Sequence, residues 1–335
     1  MKNYIIVLLC SLLASVVFAS TDNQVPKVIK TMTPNEEYVL GNNYLKGNNN
    51  IPKDSSKAAK WILKAAIDGD VNAMLEVSAV FLETHHYEEA FHFLTLCSNK
   101  GNADCKFLLG TLYLYGNGVP KDYNKADQLF YDAIKGGNFA ALEQLGEMYE
   151  TGTGETKDLQ KAFQFYQLSA DNGDDVGQFK MGYFYANGIT VPVDYEKAKL
   201  WWSLSANNGN AKAQYDLGYL YQNGLVDNEV NLQMALKFYR LASDQFESHA
   251  LNNLAAMYEF GKGTIKSNVI ATALFYVSVL SDTSNENTKA LTNFKQASSE
   301  LSPYETTISK KLALNILKNK NVTKEIMKYE KENSI

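Results

Sequence analysis

Three groups of side chains in this 335-residue sequence have types and spacings that could do chemistry. His85, His86 and His92 stand among Glu83, Glu88 and Glu89, and Glu88 with His92 has the i,i+4 spacing that lets two ligands on one helix face hold a metal. A solvated loop running into a helix start accounts for the same residues. Gly261-Lys262-Gly263-Thr264 looks like the end of a phosphate-cradling loop, but the position five before Gly261 is Ala256, where such a loop needs glycine. The third group is a pair of thiols, Cys97 and Cys105. No Ser-x-x-Lys and no Lys-Thr-Gly occurs in the chain, so a serine nucleophile with a neighbouring lysine has no candidate. No cofactor is expected.

These residues all fall within a repeating frame. Leu109-Gly110-Thr111-Leu112-Tyr113 recurs as Leu145-Gly146 to Tyr149, Met181-Gly182 to Tyr185 and Leu217-Gly218 to Tyr221, at a spacing of 36 residues. The frame extends to Leu40-Gly41 with Tyr44 on one side and to Leu254-Ala255 with Tyr258 on the other, and a degenerate copy with a shortened loop lies at Val77-Ser78 to Phe81. In each copy Leu and Tyr share one helix face, and the small residue between them admits a second helix. A turn follows, most complete at Gly116 to Pro120, where proline ends the helix. Asp122, Asp158 and Asp194 then cap the second helix, each three residues before the lysine of a Lys-Ala pair, and an aromatic four residues after that alanine (Phe130, Tyr166, Trp202) faces back. The Gly261 segment aligns with the repeat's own turn.

One such helix pair cannot enclose its apolar stripe, so the copies must stack. The expected fold is all-α: a right-handed α-solenoid of helix-turn-helix repeats with a C-terminal helical cap. The expected boundaries are a signal peptide at 1–19, a linker at 20–32, a solenoid of about seven helix pairs at 33–283, a cap at 284–319 and a flexible tail at 320–335. Thr33-Pro34 with Glu36 and Ser302-Pro303 with Glu305 both have the pattern of a capping box with proline at the first helical position.

The frame resembles the Sel1-like repeat family, a relative of the tetratricopeptide repeats, over roughly residues 36 to 283. The resemblance rests on Leu-Gly-x-x-Tyr, Gly-x-Gly-Val-Pro-x-Asp and Lys-Ala recurring in one phase. It implies a scaffold that binds other proteins, often in bacterial envelope biology or host contact. In the related tetratricopeptide repeats, the positions three before and one after the glycine line a concave groove. Here those positions include Phe107, Glu143 and Glu147, then Phe179 and Tyr183, then Tyr215 and Tyr219. The four aromatics of neighbouring repeats form an expected contact patch for a protein or peptide, since tyrosine and phenylalanine supply much contact area at low entropy cost. The same rings could instead pack between repeats as core. Some members of the family's cysteine-rich secreted branch are linked to β-lactam binding, which keeps a β-lactam-binding or hydrolase-type protein as the alternative.

Lys2 is followed by an apolar run from Tyr4 to Phe18 ending before Ala19, the pattern of a secretory signal peptide, too short to span a bilayer. Cys10 lacks the small preceding residue of a lipoprotein signal. The expected location is therefore the periplasm, the cell surface or the medium. Cys97, seven residues after Ala90, and Cys105, five before Gly110, occupy small-residue slots on adjacent helices, and an exported protein meets an oxidising compartment. A disulfide is the expectation, as in the cysteine-rich branch; two buried free thiols are the alternative. A net charge of -5 without a basic cluster argues against nucleic acid. With a mean hydropathy of -0.28 and no second long apolar segment, membrane contact is expected to be at most peripheral.

Overall fold

The computed structural model describes residues 32–47, 50–281 and 288–333, so the expected signal peptide lies outside the described residues. The described residues form seventeen helices and no strand. They divide into two compact units, Met1–Asp158 and Leu159–Ile335. The first holds α1 (Pro34–Lys46), α2 (Ser55–Asp68), α3 (Val71–Glu83), α4 (Tyr87–Asn99), α5 (Ala103–Tyr115), α6 (Tyr123–Lys135) and α7 (Ala140–Thr151). The second holds α8 (Leu159–Asp171), α9 (Asp175–Asn187), α10 (Tyr195–Asn207), α11 (Ala211–Asn223), α12 (Leu232–Asp244), α13 (Ser248–Phe260) and α14 (Asn268–Ser281). Three further helices follow: α15 (Thr288–Ser299), α16 (Pro303–Asn319) and α17 (Val322–Glu332).

The repeat residues explain the pairing. A side chain at Gly110 would stand 2.7 Å from the Phe130 ring, one at Gly182 2.4 Å from Trp202, and one at Gly218 2.6 Å from Tyr239. The three rings are buried, so the glycine is the space into which the second helix sets its aromatic. The recurring lysine meets the recurring tyrosine: Lys125 Nζ lies 5.0 Å from the Tyr113 ring centre, Lys197 5.1 Å from Tyr185 and Lys57 5.5 Å from Tyr44. Each is a cation–π contact across the pair.

The caps follow the expected residues. Asp122 accepts from the Lys125 backbone N–H at 3.0 Å and Asp194 from that of Lys197 at 2.9 Å. The loop before α12 lacks the Pro-Lys-Asp segment, and there Asn231 accepts from the Met234 N–H at 3.0 Å instead. Both capping boxes, at Thr33 with Glu36 and at Ser302 with Glu305, are formed. Each such cap contributes about 1 kcal/mol by filling backbone donors that the helix cannot satisfy itself.

The C-terminal stretch departs from expectation. Instead of a flexible tail from 320, α17 folds, capped by Asn321, which accepts from the Lys324 N–H at 2.8 Å. Val322 and Ile326 are fully buried in the core with α12, α14 and α16. Thr323 N–H donates to Asp244 at 2.7 Å, and the Tyr258 hydroxyl donates to Glu330 at 2.9 Å while accepting from Arg240 at 2.7 Å. The physical reason is burial: without α17 the apolar ends of these helices would face water. Among the described residues, no helix is long and apolar enough to cross a membrane.

Candidate binding groove

The two candidate positions in each repeat behave differently. The residue three before the glycine leans back onto the second helix. Phe107 is half-buried with its ring centre 6.0 Å from Phe130, and Tyr215 is half-buried 6.0 Å from Tyr239 and 5.6 Å from His249. Phe179 is half-buried against the core around Ala198 and Trp202, and its carbonyl accepts from Trp202 Nε1–H at 3.1 Å. The residue one after the glycine points outward: Tyr183 is 39% exposed, Tyr219 47%, and Glu147 is exposed too. The repeats around Gly182 and Gly218 thus each give one ring to packing and one to the surface.

In the C-terminal unit the four rings come together. Phe179, Tyr183, Tyr215 and Tyr219 line a single open cavity of about 860 Å³, with Trp202 and Leu220 also on its wall. Helices α9 and α11 supply the rings, and the start of α13 brings in Glu247 and His249.

Asp216, beside Tyr215, also faces this cavity. Burial pushes its carboxyl up to about 7; the nearby Glu247 adds to the shift, and His249 and Lys212 oppose it. No described residue donates a hydrogen bond to it. Burial, with the charges of Asp216 and Glu247, pushes the Tyr215 hydroxyl up to about 12. Glu247 is already engaged: it accepts from the Ala250 N–H as the cap of α13 and contacts His249 Nδ1 at 3.0 Å.

Sequence reasoning missed Asp216, Glu247 and His249. The residues matching Asp216 in the other repeats are Val39, Glu76, Leu108, Gln144, Lys180 and Asn253, so a carboxylate recurs only at Glu76 of the degenerate copy and no periodic signal marks the position.

Glu143 and Glu147 belong to the N-terminal unit and face Tyr115, whose hydroxyl is raised by burial first and then by these two charges. Glu147 and Tyr115 line a smaller cavity of about 290 Å³ together with Tyr123 and Met148. Cys97 and Cys105 are joined across the turn between α4 and α5, with Cα atoms 5.9 Å apart, and both are buried. Cys97 Sγ also lies 3.8 Å from the Val71 carbonyl. The equivalent Ser205 and Ser278 hydroxyls donate to the Asp175 and Ser248 carbonyls, each at 2.7 Å.

The histidine cluster is dispersed. His85 contacts the Tyr87 hydroxyl, His86 the Thr84 hydroxyl and His92 the Phe93 ring. Among the described residues, no group of three or more His, Cys, Asp or Glu is placed to hold a metal. Gly261 and Gly263 form the turn after α13, both with positive φ.

Six segments of the chain match the Sel1 repeat: residues 37–70, 103–138, 140–174, 176–210, 211–245 and 248–277. The chain belongs to the Sel1 repeat family, whose fold is that of a protein-interaction scaffold. The degenerate copy formed by α3 and α4 falls between the first two matched segments. Among solved structures, the chain is similar to a Sel1 repeat protein from Oxalobacter formigenes, at 23% identity over 72% of this chain and 99% of that one, with a TM-score of 0.62. It is also similar to a protective antigen of uropathogenic Escherichia coli strains displaying an SLR fold, at 21% identity over 89% of this chain and 86% of that one, with a TM-score of 0.52. At these identities the likeness is one of fold.

Proposed function

We propose that this protein is an exported, non-catalytic scaffold whose groove in the C-terminal unit holds a segment of another protein. The observation that carries this reading is the cavity of about 860 Å³ onto which Phe179, Tyr183, Tyr215 and Tyr219 converge. Two of these rings are fixed by packing on the second helix of their repeat, which leaves little entropy to lose on binding, and two stay exposed. Export is supported by the apolar run from Tyr4 to Phe18 behind Lys2. A role in the cell envelope or at a host cell needs the same feature, an outward-facing contact surface.

The test is the double variant Tyr183→Ala/Tyr219→Ala, assayed by crosslinking and pull-down from intact cells. Capture of the partner should be lost, while the melting temperature falls by only about 2–4 °C because neither ring belongs to the buried core. Unchanged capture, or a loss accompanied by a large drop in melting temperature, would count against the groove as the contact surface.

A further inference from the structure

We propose that the groove selects a segment bearing a basic side chain, arginine or lysine, seated among the tyrosine rings with its charge facing Asp216. This rests on the preceding reading of the groove and adds the chemistry of its occupant.

Three observations converge on a cation. The first is the aromatic wall: Tyr183, Tyr215 and Tyr219 border one cavity, and ring faces attract cations. The chain already uses this contact internally, where Lys125 and Lys197 lie over Tyr113 and Tyr185. The second is the pair of carboxylates, Asp216 on α11 and Glu247 at the head of α13, which face the same space from successive repeats. The third is the unequal use of their oxygens. Glu247 is engaged by Ala250 and His249, whereas no described residue donates to Asp216, so its acceptor capacity is open to an incoming donor.

The alternatives fit less well. An acidic segment would add a third negative charge beside Asp216 and Glu247, and an apolar one would cover the Asp216 carboxyl without giving it a partner. The groups facing Asp216 are Lys212, Tyr215 and Tyr219 on its own helix, Tyr239 on α12, and Glu247 and His249 from the start of α13. Lys212 and His249 offset part of the negative charge, but neither donates to the Asp216 oxygens. Because burial holds this carboxyl near neutrality, an arriving cation also favours its ionised form, and binding should release a proton.

Random dodecapeptides displayed on phage, selected on the purified chain and counter-selected on Tyr183→Ala/Tyr219→Ala, supply the probe. The selected sequences should be enriched in arginine or lysine. In fluorescence anisotropy, replacing that residue by norleucine should weaken binding about tenfold. Asp216→Asn should weaken it to a similar extent, with the fold checked by circular dichroism. Affinity for the basic peptide should rise between pH 6 and pH 8 in the wild type; that rise should be reduced in Asp216→Asn and remain in His249→Gln, which takes away the neighbouring imidazole. Tyrosine-dependent peptides without basic enrichment, or unchanged binding in Asp216→Asn, would overturn the cation proposal and leave the groove reading standing. If no selected peptide depends on the tyrosines, both fall.

Discussion

The repeats around Gly110 and Gly146 in the N-terminal unit and those around Gly182 and Gly218 in the C-terminal unit share one frame and present different chemistry on it. Three residues before the glycine, Phe107, Phe179 and Tyr215 all rest half-buried on the second helix of their pair, so the position serves packing in both units. One residue after the glycine, Thr111 and Glu147 are replaced by Tyr183 and Tyr219. That outward position can vary without disturbing the pair, because only its backbone belongs to the frame. The N-terminal unit presents Glu143 and Glu147 beside Tyr115, whereas the C-terminal unit presents an aromatic-lined cavity with a carboxylate to which no described residue donates a hydrogen bond. The frame therefore separates the position that packs the pair from the position that varies on the surface, only four residues apart.

The largest expected effect tests the shared frame. Gly110→Val and Gly182→Val should each cost about 3 kcal/mol in denaturant unfolding, since the new side chain must displace a buried ring and overpacked cores relax poorly. If one substitution is tolerated, the two units do not share the same pair packing. Next is the covalent junction found only in the N-terminal unit. Reducing Cys97–Cys105, or replacing both residues by serine, should lower stability by about 2–3 kcal/mol through the freed loop entropy of the unfolded chain. Thiol counting by mass spectrometry checks the starting state, and alkylation of both cysteines without reductant would refute the bond in solution.

The smallest effect has the opposite sign and belongs to the C-terminal groove. The Asp216 carboxyl stands at about 7 in the folded protein against an ordinary value of 3.8. The folded state therefore binds this proton more tightly than the unfolded chain, and stability falls as pH rises through that window before levelling off above it. Asp216→Asn should remove the penalty and stabilise the protein by roughly 1–3 kcal/mol at pH 8, with little gain at pH 3. A uniform gain at all pH values, or none, would show that the carboxyl is not held at a cost.

Much of this was legible in the sequence because it depends on spacing. The glycine opposite a ring, the aspartate caps, the two capping boxes and the small slots that hold Cys97 and Cys105 each follow from helix geometry and residue size. The four groove aromatics were also legible, though not their division into two packed and two exposed rings, which depends on how far each side chain reaches across its pair. The helix α17 left a signal that went unread. Asn321 is a capping residue, and Val322, Ile326 and Tyr329 lie at i, i+4 and i+7. Its short apolar stripe has meaning only once there is a surface to cover.

By itself, the sequence determined the all-helical repeat, its period and the residues that make each pair close. These depend on contacts within one turn of helix or across one hairpin, where separation along the chain stands in for distance in space. Only the tertiary structure decided that Asp216 would be half-buried beside Glu247 and His249, which lie about thirty residues further along the chain, and that α17 would pack against α12, α14 and α16. The desolvation of a carboxylate and the covering of an exposed core are set by everything that surrounds them in space, and no local spacing encodes that.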